Sequence, residues 1–66
     1  MRDSTGSRLK ALRIRYGLSQ KDLAEQLGYS VSTISNWECD RTIPRADCIV
    51  DIAQFYKVSV EYILCG

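Results

Sequence analysis

Between Ser19 and Glu38 the chain carries two helical segments separated only by Gly28-Tyr29-Ser30. In Leu18-Ser19-Gln20-Lys21-Asp22-Leu23, Ser19 is placed as an N-cap and Asp22 can reach back to it, while Leu18 and Leu23 staple the helix entry from either side. That helix runs to about Leu27, and Gly28 ends it. Ser30 caps the next, with Tyr29 and Ile34 as a second staple, and this helix ends near Glu38. A turn this short forces the two helices to cross steeply. The crossing needs a small residue, which Ala24 supplies, and a turn residue for which positive φ is cheap, which Gly28 supplies. Leu23, Leu27, Ile34 and Trp37 are apolar and fill the wedge between the helices.

The flanking segments are helical as well. Ser4 caps a first helix that runs to about Tyr16, with Leu9, Leu12 and Tyr16 on one face, Arg8, Lys10 and Arg15 pointing elsewhere, and Gly17 as its left-handed stop. Cys39 to Ile43 is a short loop. Pro44 introduces a fourth helix from about Arg45 to Tyr56, which buries Ile49, Ile52, Ala53 and Tyr56. Ser59 caps a final short helix between the staple residues Val58 and Ile63. The expectation is an all-α, compact five-helix fold, a single domain over residues 1–66.

Composition narrows the function. A chain of 66 residues is small for an enclosed substrate pocket, and a histidine count of 0 excludes histidine catalysis and histidine-ligated metal. There is no glycine-rich phosphate loop and no pair of carboxylates at a plausible cleft, so an enzyme is not expected, nor is a cofactor, metal or small-molecule ligand. Cys39, Cys48 and Cys65 are odd in number and contain no C-x-x-C pair, which suits three reduced thiols in a cytoplasmic protein; a redox-sensing thiol would have only Arg41, near Cys39, to activate it. No apolar run is long enough to span a membrane, and the N-terminal stretch from Met1 lacks the apolar core of a secretory signal. The formal charge is +1, but the basic residues gather before Ala46 and the acidic excess follows it, so one face is able to meet a polyanion.

With these features in view, the sequence resembles the lambda-repressor-like, Cro/CI or Xre type of helix-turn-helix domain. The resemblance is carried by Arg8-Leu9-Lys10-x-Leu12-Arg13, by Gly17-Leu18-Ser19-Gln20-x-x-Leu23-Ala24-x-x-Leu27-Gly28, and by Ser30-x-x-Thr33-Ile34-Ser35-x-Trp37-Glu38 followed by Pro44. It continues through Ile52-Ala53-x-x-Tyr56-x-Val58-Ser59-x-x-Tyr62-Ile63-Leu64 and covers nearly the whole chain. The chain departs from the pattern at two places. Asp40 stands where the family usually has glycine, and aspartate tolerates the left-handed region better than most residues. Arg45 follows the proline where a capping serine is common; it caps poorly but is able to bind phosphate.

The resemblance implies a sequence-specific, double-stranded DNA-binding transcriptional regulator, a repressor of bacterial or phage origin, with its third helix in the major groove. Helical geometry puts Ile34, Trp37 and Glu38 on the inward side of that helix, and Val31, Ser32, Ser35 and Asn36 on the outward, base-reading side. Asn36 suits a bidentate contact to adenine, and Val31 suits a thymine methyl. Phosphate contacts are expected from Ser19 and Gln20 at a helix N-terminus, from Tyr29 in the turn, and from Arg41 and Arg45 beside the groove. The resemblance also implies a partly buried Arg13–Glu38 ion pair. It further implies a homodimer on a palindromic operator, formed through the last helix with Val60, Tyr62 and Leu64 as candidates and Cys65 at their edge. Trp37 is expected in the core, with Tyr16, Tyr56 and Tyr62 in the core or at its rim.

A second reading keeps the fold as a protein-interaction module, such as an antitoxin or antirepressor partner. The low net charge and the apolar Val31 favour it; Gln20, Asn36, Arg41 and Arg45 on one face argue against it.

Overall fold

A computed structural model describes residues 4–66; residues 1–3, which open the N-terminal stretch expected to lack a secretory signal, lie outside the described residues. Five helices follow one another: α1 (Thr5–Arg15), α2 (Gln20–Leu27), α3 (Val31–Glu38), α4 (Ala46–Tyr56) and α5 (Val60–Cys65). Among the described residues there is no strand. Among these residues, too, no helix is long and apolar enough to cross a membrane.

Each start is set by a local cap. The side chains of Ser4, Ser19, Ser30 and Ser59 accept the backbone N–H three residues on, and at Ser4 and Ser19 the reciprocal bond completes a capping box. The N-cap N–H of Ser19 donates to the Asp22 carboxylate, and these bonds from the Ser19 backbone and hydroxyl hold the Asp22 pKa below the usual aspartate value. Arg45 caps α4 without a side-chain hydrogen bond, as its chemistry implies.

The helix ends are equally local. Gly17 sits at φ 70°, and the Leu18 N–H reaches the Arg13 carbonyl while the Gly17 N–H reaches that of Ile14, the two bonds of a Schellman motif. Gly28, at φ 80°, closes α2. Lys57 performs the same turn after α4 at φ 58° without being glycine.

The core gathers Leu9 and Leu12 from α1, Leu23 and Ala24 from α2, Ile34 and Trp37 from α3, Cys48, Ile49, Ile52, Ala53 and Tyr56 from α4, and Ile63 from α5. Leu18, Leu27, Tyr29 and Val58, which flank helix starts and ends, pack against it. Tyr56 is almost fully buried, and burial first, then the nearby Glu38 charge, pushes its phenol up to about 12.

The expectation for Arg8 needs correction, whereas Tyr16 lies at the rim of the core, as the C-cap of α1 and 48% exposed. Its ring meets the edge of Tyr56 at 4.9 Å, and its hydroxyl donates to the Tyr56 carbonyl at 2.7 Å. Arg8 does not point away. It is 7% exposed, and its guanidinium donates to the carbonyls of Ile63 at 2.9 Å and Leu64 at 2.8 Å. These are terminal α5 carbonyls without helical partners, so a cation bonded to them also meets the negative end of the helix dipole. Arg8 therefore ties α5 to α1.

Candidate nucleic-acid interface

The pair α2–α3 is held from behind by a polar network. Arg13 of α1 grips Glu38 of α3 bidentately, Nε to Oε2 at 2.7 Å and Nη2 to Oε1 at 3.0 Å. The side chains are 12% and 3% exposed. The third Arg13 nitrogen donates to the Leu18 carbonyl at 2.8 Å, just ahead of α2. The hydrogen bonds to Glu38 are the main reason the Arg13 pKa is raised. Gln20 joins through Nε2, which donates to Glu38 Oε1 at 3.1 Å. One carboxylate thus collects donors from the α1 and α2 segments and fixes how α3 lies against them.

The outward side of α3 carries Val31 and Ser32, both exposed, and Ser35 and Asn36, both half-buried. The side chains of Ser32, Ser35 and Asn36 have no hydrogen-bond partner among the described residues, so their donors and acceptors are available to an incoming group. Val31 is 43% exposed and apolar, which is what a methyl contact requires. On the opposite side Ile34, Trp37 and Glu38 are buried. Trp37 meets the edge of Tyr29 with ring centroids 5.2 Å apart and belongs to the core.

The expected phosphate contacts are not all equally disposed. Ser19 is exposed at the start of α2, with its hydroxyl accepting the Asp22 N–H, and Gln20 is half-buried beside it. Arg41 is exposed in the loop after α3, and its backbone N–H is bonded to the Asn36 carbonyl at 2.9 Å. Arg45 is exposed too, but lies 3.5 Å from the Asp47 carboxylate, which partly offsets its charge. Tyr29 is turned the other way: its hydroxyl donates to Asp51 Oδ2 at 3.1 Å on α4. Interaction with the Cys48 thiol, then burial, then Asp51 raises its pKa. A phosphate at Tyr29 would have to displace, or sit beside, a carboxylate of like charge.

On α5, Val60 and Leu64 are 37% and 44% exposed and lie one helical turn apart, on one face. Tyr62 is half-buried against the core, so it presents only part of its ring there. Cys39 and Cys65 are exposed free thiols, and Cys48 is buried.

Two residues with structural leverage on this surface escaped the sequence reading. Arg8 belongs to the motif that carries the resemblance, but its burial gives no local signal, because arginine is ordinarily exposed. Asp40 was read only for its backbone. It does adopt φ 60°, and in addition its carboxylate accepts from the Ser4 hydroxyl at 2.7 Å and the Gly6 N–H at 3.0 Å.

This arrangement of two capped helices crossing over a short turn, backed by α1 and α4, defines a helix-turn-helix domain. A helix-turn-helix family profile matches residues 9–63, and the chain belongs to that family. Among curated proteins it is 38% identical to the HTH-type transcriptional regulator ImmR of Bacillus subtilis over 61 residues, 92% of this chain and 48% of that protein. It is 35% identical to repressor protein CI of enterobacteria phage phi80 over 63 residues, 96% of this chain and 26% of that one. It is 36% identical to the HTH-type transcriptional activator BcrR of Enterococcus faecalis over 59 residues, 89% of this chain and 29% of that one. The chain spans about half the length, or less, of these relatives. Among solved structures, the P22 c2 repressor in complex with a synthetic operator superposes with a TM-score of 0.92 at 28% identity, covering 98% of both chains.

Proposed function

We propose that this chain is the DNA-binding part of a sequence-specific transcriptional regulator acting in the cytoplasm of a bacterial cell, as a repressor. The observation that carries the reading is the outward face of α3. Val31 and Ser32 are exposed, and Ser35 and Asn36 are half-buried, on a helix whose opposite side is locked by the Arg13–Glu38–Gln20 network. The close superposition on a repressor bound to its operator supports the same placement. In this reading Asn36 and Val31 read base edges and favour A·T pairs, Ser32 and Ser35 assist, and Ser19, Gln20, Arg41 and Arg45 hold phosphates. The Tyr29 contact is the weakest member of the set, because its hydroxyl already faces Asp51.

A net charge of +1 gives one copy little electrostatic affinity, so the proposal includes a homodimer on a two-fold symmetric site. Val60 and Leu64 form its apolar contact, with Tyr62 at the side.

The test is selection from a random duplex pool at about 50 and about 200 mM salt, followed by binding of an Asn36→Ala variant. A recovered palindrome with A·T-rich half-sites is expected, with Asn36→Ala losing about 1–3 kcal/mol on it and little on unrelated duplexes. Recovery of no sequence above background, or an equal loss on every duplex, refutes base reading by α3 and turns attention to a protein partner.

A further inference from the structure

We infer that Asp40 is a positioning residue for DNA binding: its carboxylate fastens the loop that carries Arg41 to the N-terminus of α1. The inference rests on the reading of Arg41 as a phosphate contact.

The position begins with backbone geometry. Asp40 follows the C-cap of α3 and turns the chain through φ 60°, a region few residues other than glycine, asparagine and aspartate occupy readily. Glycine would satisfy the turn, and it would leave the loop untied. Aspartate adds two bonds that reach 36 and 34 residues back along the chain, from the Ser4 hydroxyl to Oδ2 and from the Gly6 N–H to Oδ1. Both donors lie at the start of α1. Its first N–H groups lack helical partners, and the dipole favours an anion there. Ser4 is at the same time the N-cap that accepts the Ser7 N–H at 3.0 Å, so cap and tether form one chain of hydrogen bonds.

The two helix ends are in direct contact at this point. A Cβ on Gly6 would lie 2.6 Å from the Trp37 carbonyl oxygen and 2.7 Å from both the Glu38 carbonyl oxygen and Asp40 Oδ1. The negative end of α3 therefore abuts the positive end of α1, and Asp40 closes the joint. Beyond Asp40, the N–H groups of Arg41 and Thr42 both return to the Asn36 carbonyl, at 2.9 and 3.4 Å. The Arg41 backbone is thus held on one side by the recognition helix and on the other by α1. A guanidinium carried on a fixed backbone loses less freedom when it grips a phosphate, and this preorganisation is gained as affinity.

Charge works the opposite way, which makes the inference testable. A carboxylate next to a phosphate-binding arginine opposes DNA binding by simple Coulomb repulsion. If Asp40 were only a tolerated turn residue, removing its charge would help whatever replaced it. The comparison is therefore between Asp40→Asn and Asp40→Gly. Both are neutral and both accept positive φ, but only asparagine keeps a side-chain oxygen for the Gly6 N–H. Binding of the 66-residue chain to its selected duplex and to an unrelated duplex is followed by fluorescence anisotropy, with and without Arg41→Ala, at a temperature where Trp37 fluorescence shows every variant folded.

Asp40→Asn should bind as tightly as the parent chain or more so, and Asp40→Gly about tenfold more weakly than Asp40→Asn on both duplexes. Arg41→Ala should cost less affinity in the Asp40→Gly background than in Asp40→Asn, the signature of coupled residues. Amide exchange at Gly6 and Arg41 in the free protein gives a second readout, faster in Asp40→Gly than in Asp40→Asn. Equal affinity of the two variants, or the same Arg41→Ala loss in both, overturns the inference while leaving the phosphate contact intact. No effect of Arg41→Ala in the parent chain overturns both.

Discussion

Glu38→Gln is the most informative single perturbation of the fold, because the carboxylate holds three segments together. In the parent protein it receives two bonds from Arg13 and one from Gln20 at a side chain only 3% exposed. The variant keeps the volume and removes the charge, leaving the Arg13 guanidinium, 12% exposed, with the Leu18 carbonyl and half of its former acceptor. Breaking one partner of a buried pair costs about 3–5 kcal/mol, and the retained Leu18 bond places this case near the lower end, about 3 kcal/mol.

Against the roughly 3–10 kcal/mol total stability of a chain this size, that loss removes about three-tenths of it or more. It corresponds to a fall in Tm of about 12–24 °C. The single tryptophan, Trp37, is buried directly beside Glu38, so urea unfolding followed by its fluorescence reads the change at the site concerned. The double variant Arg13→Met/Glu38→Leu removes both charges and should recover much of the loss, since apolar replacement of a buried pair is often close to neutral. A Glu38→Gln loss below about 1 kcal/mol, the range of exposed pairs, or a double variant as unstable as the two single changes added, would show that the pair is solvated and not structural.

Two further outcomes follow from the packing and the titrating groups. Gly6→Ala should lower stability by about 1–3 kcal/mol in the same urea experiment despite the better helix propensity of alanine, because the new methyl meets backbone carbonyls of α3 that cannot rotate away; a neutral or stabilising effect would mean that α1 and α3 do not abut. Stability should also fall as pH rises from about 10, where an unfolded tyrosine ionises, to about 12, where the buried Tyr56 does. The folded state keeps that proton longer, so raising pH through the window favours unfolding; Tyr56→Phe should flatten the alkaline slope, and an unchanged slope would assign it to other groups.

Most of the architecture was legible because its signals are local. Ser19 with Asp22, Ser30 with its staple, and Gly17 and Gly28 at positive φ each act within a few residues of themselves. Apolar spacing then assigned the inner faces of α2, α3 and α4 correctly, since periodicity follows from helical geometry alone. The same geometry set Val31, Ser32, Ser35 and Asn36 apart from Ile34 and Trp37.

What the local code could not contain is where one helix end meets another. Nothing near Arg8 says that it closes the last turn of α5, 55 residues away, and nothing near Asp40 names Ser4 and Gly6 as its partners. Tyr29 illustrates the same limit: its turn position offers a hydroxyl, but nothing near it says that Asp51 of α4 lies against that hydroxyl. The sequence by itself therefore determined the helices, their caps and the inward and outward faces of α2, α3 and α4, because those depend on neighbours along the chain. Tertiary structure decided which polar side chains became joints between helices, because a hydrogen bond depends on distance in space, and the partners of Tyr29, Asp40 and Arg8 lie 22 to 56 residues away in the chain.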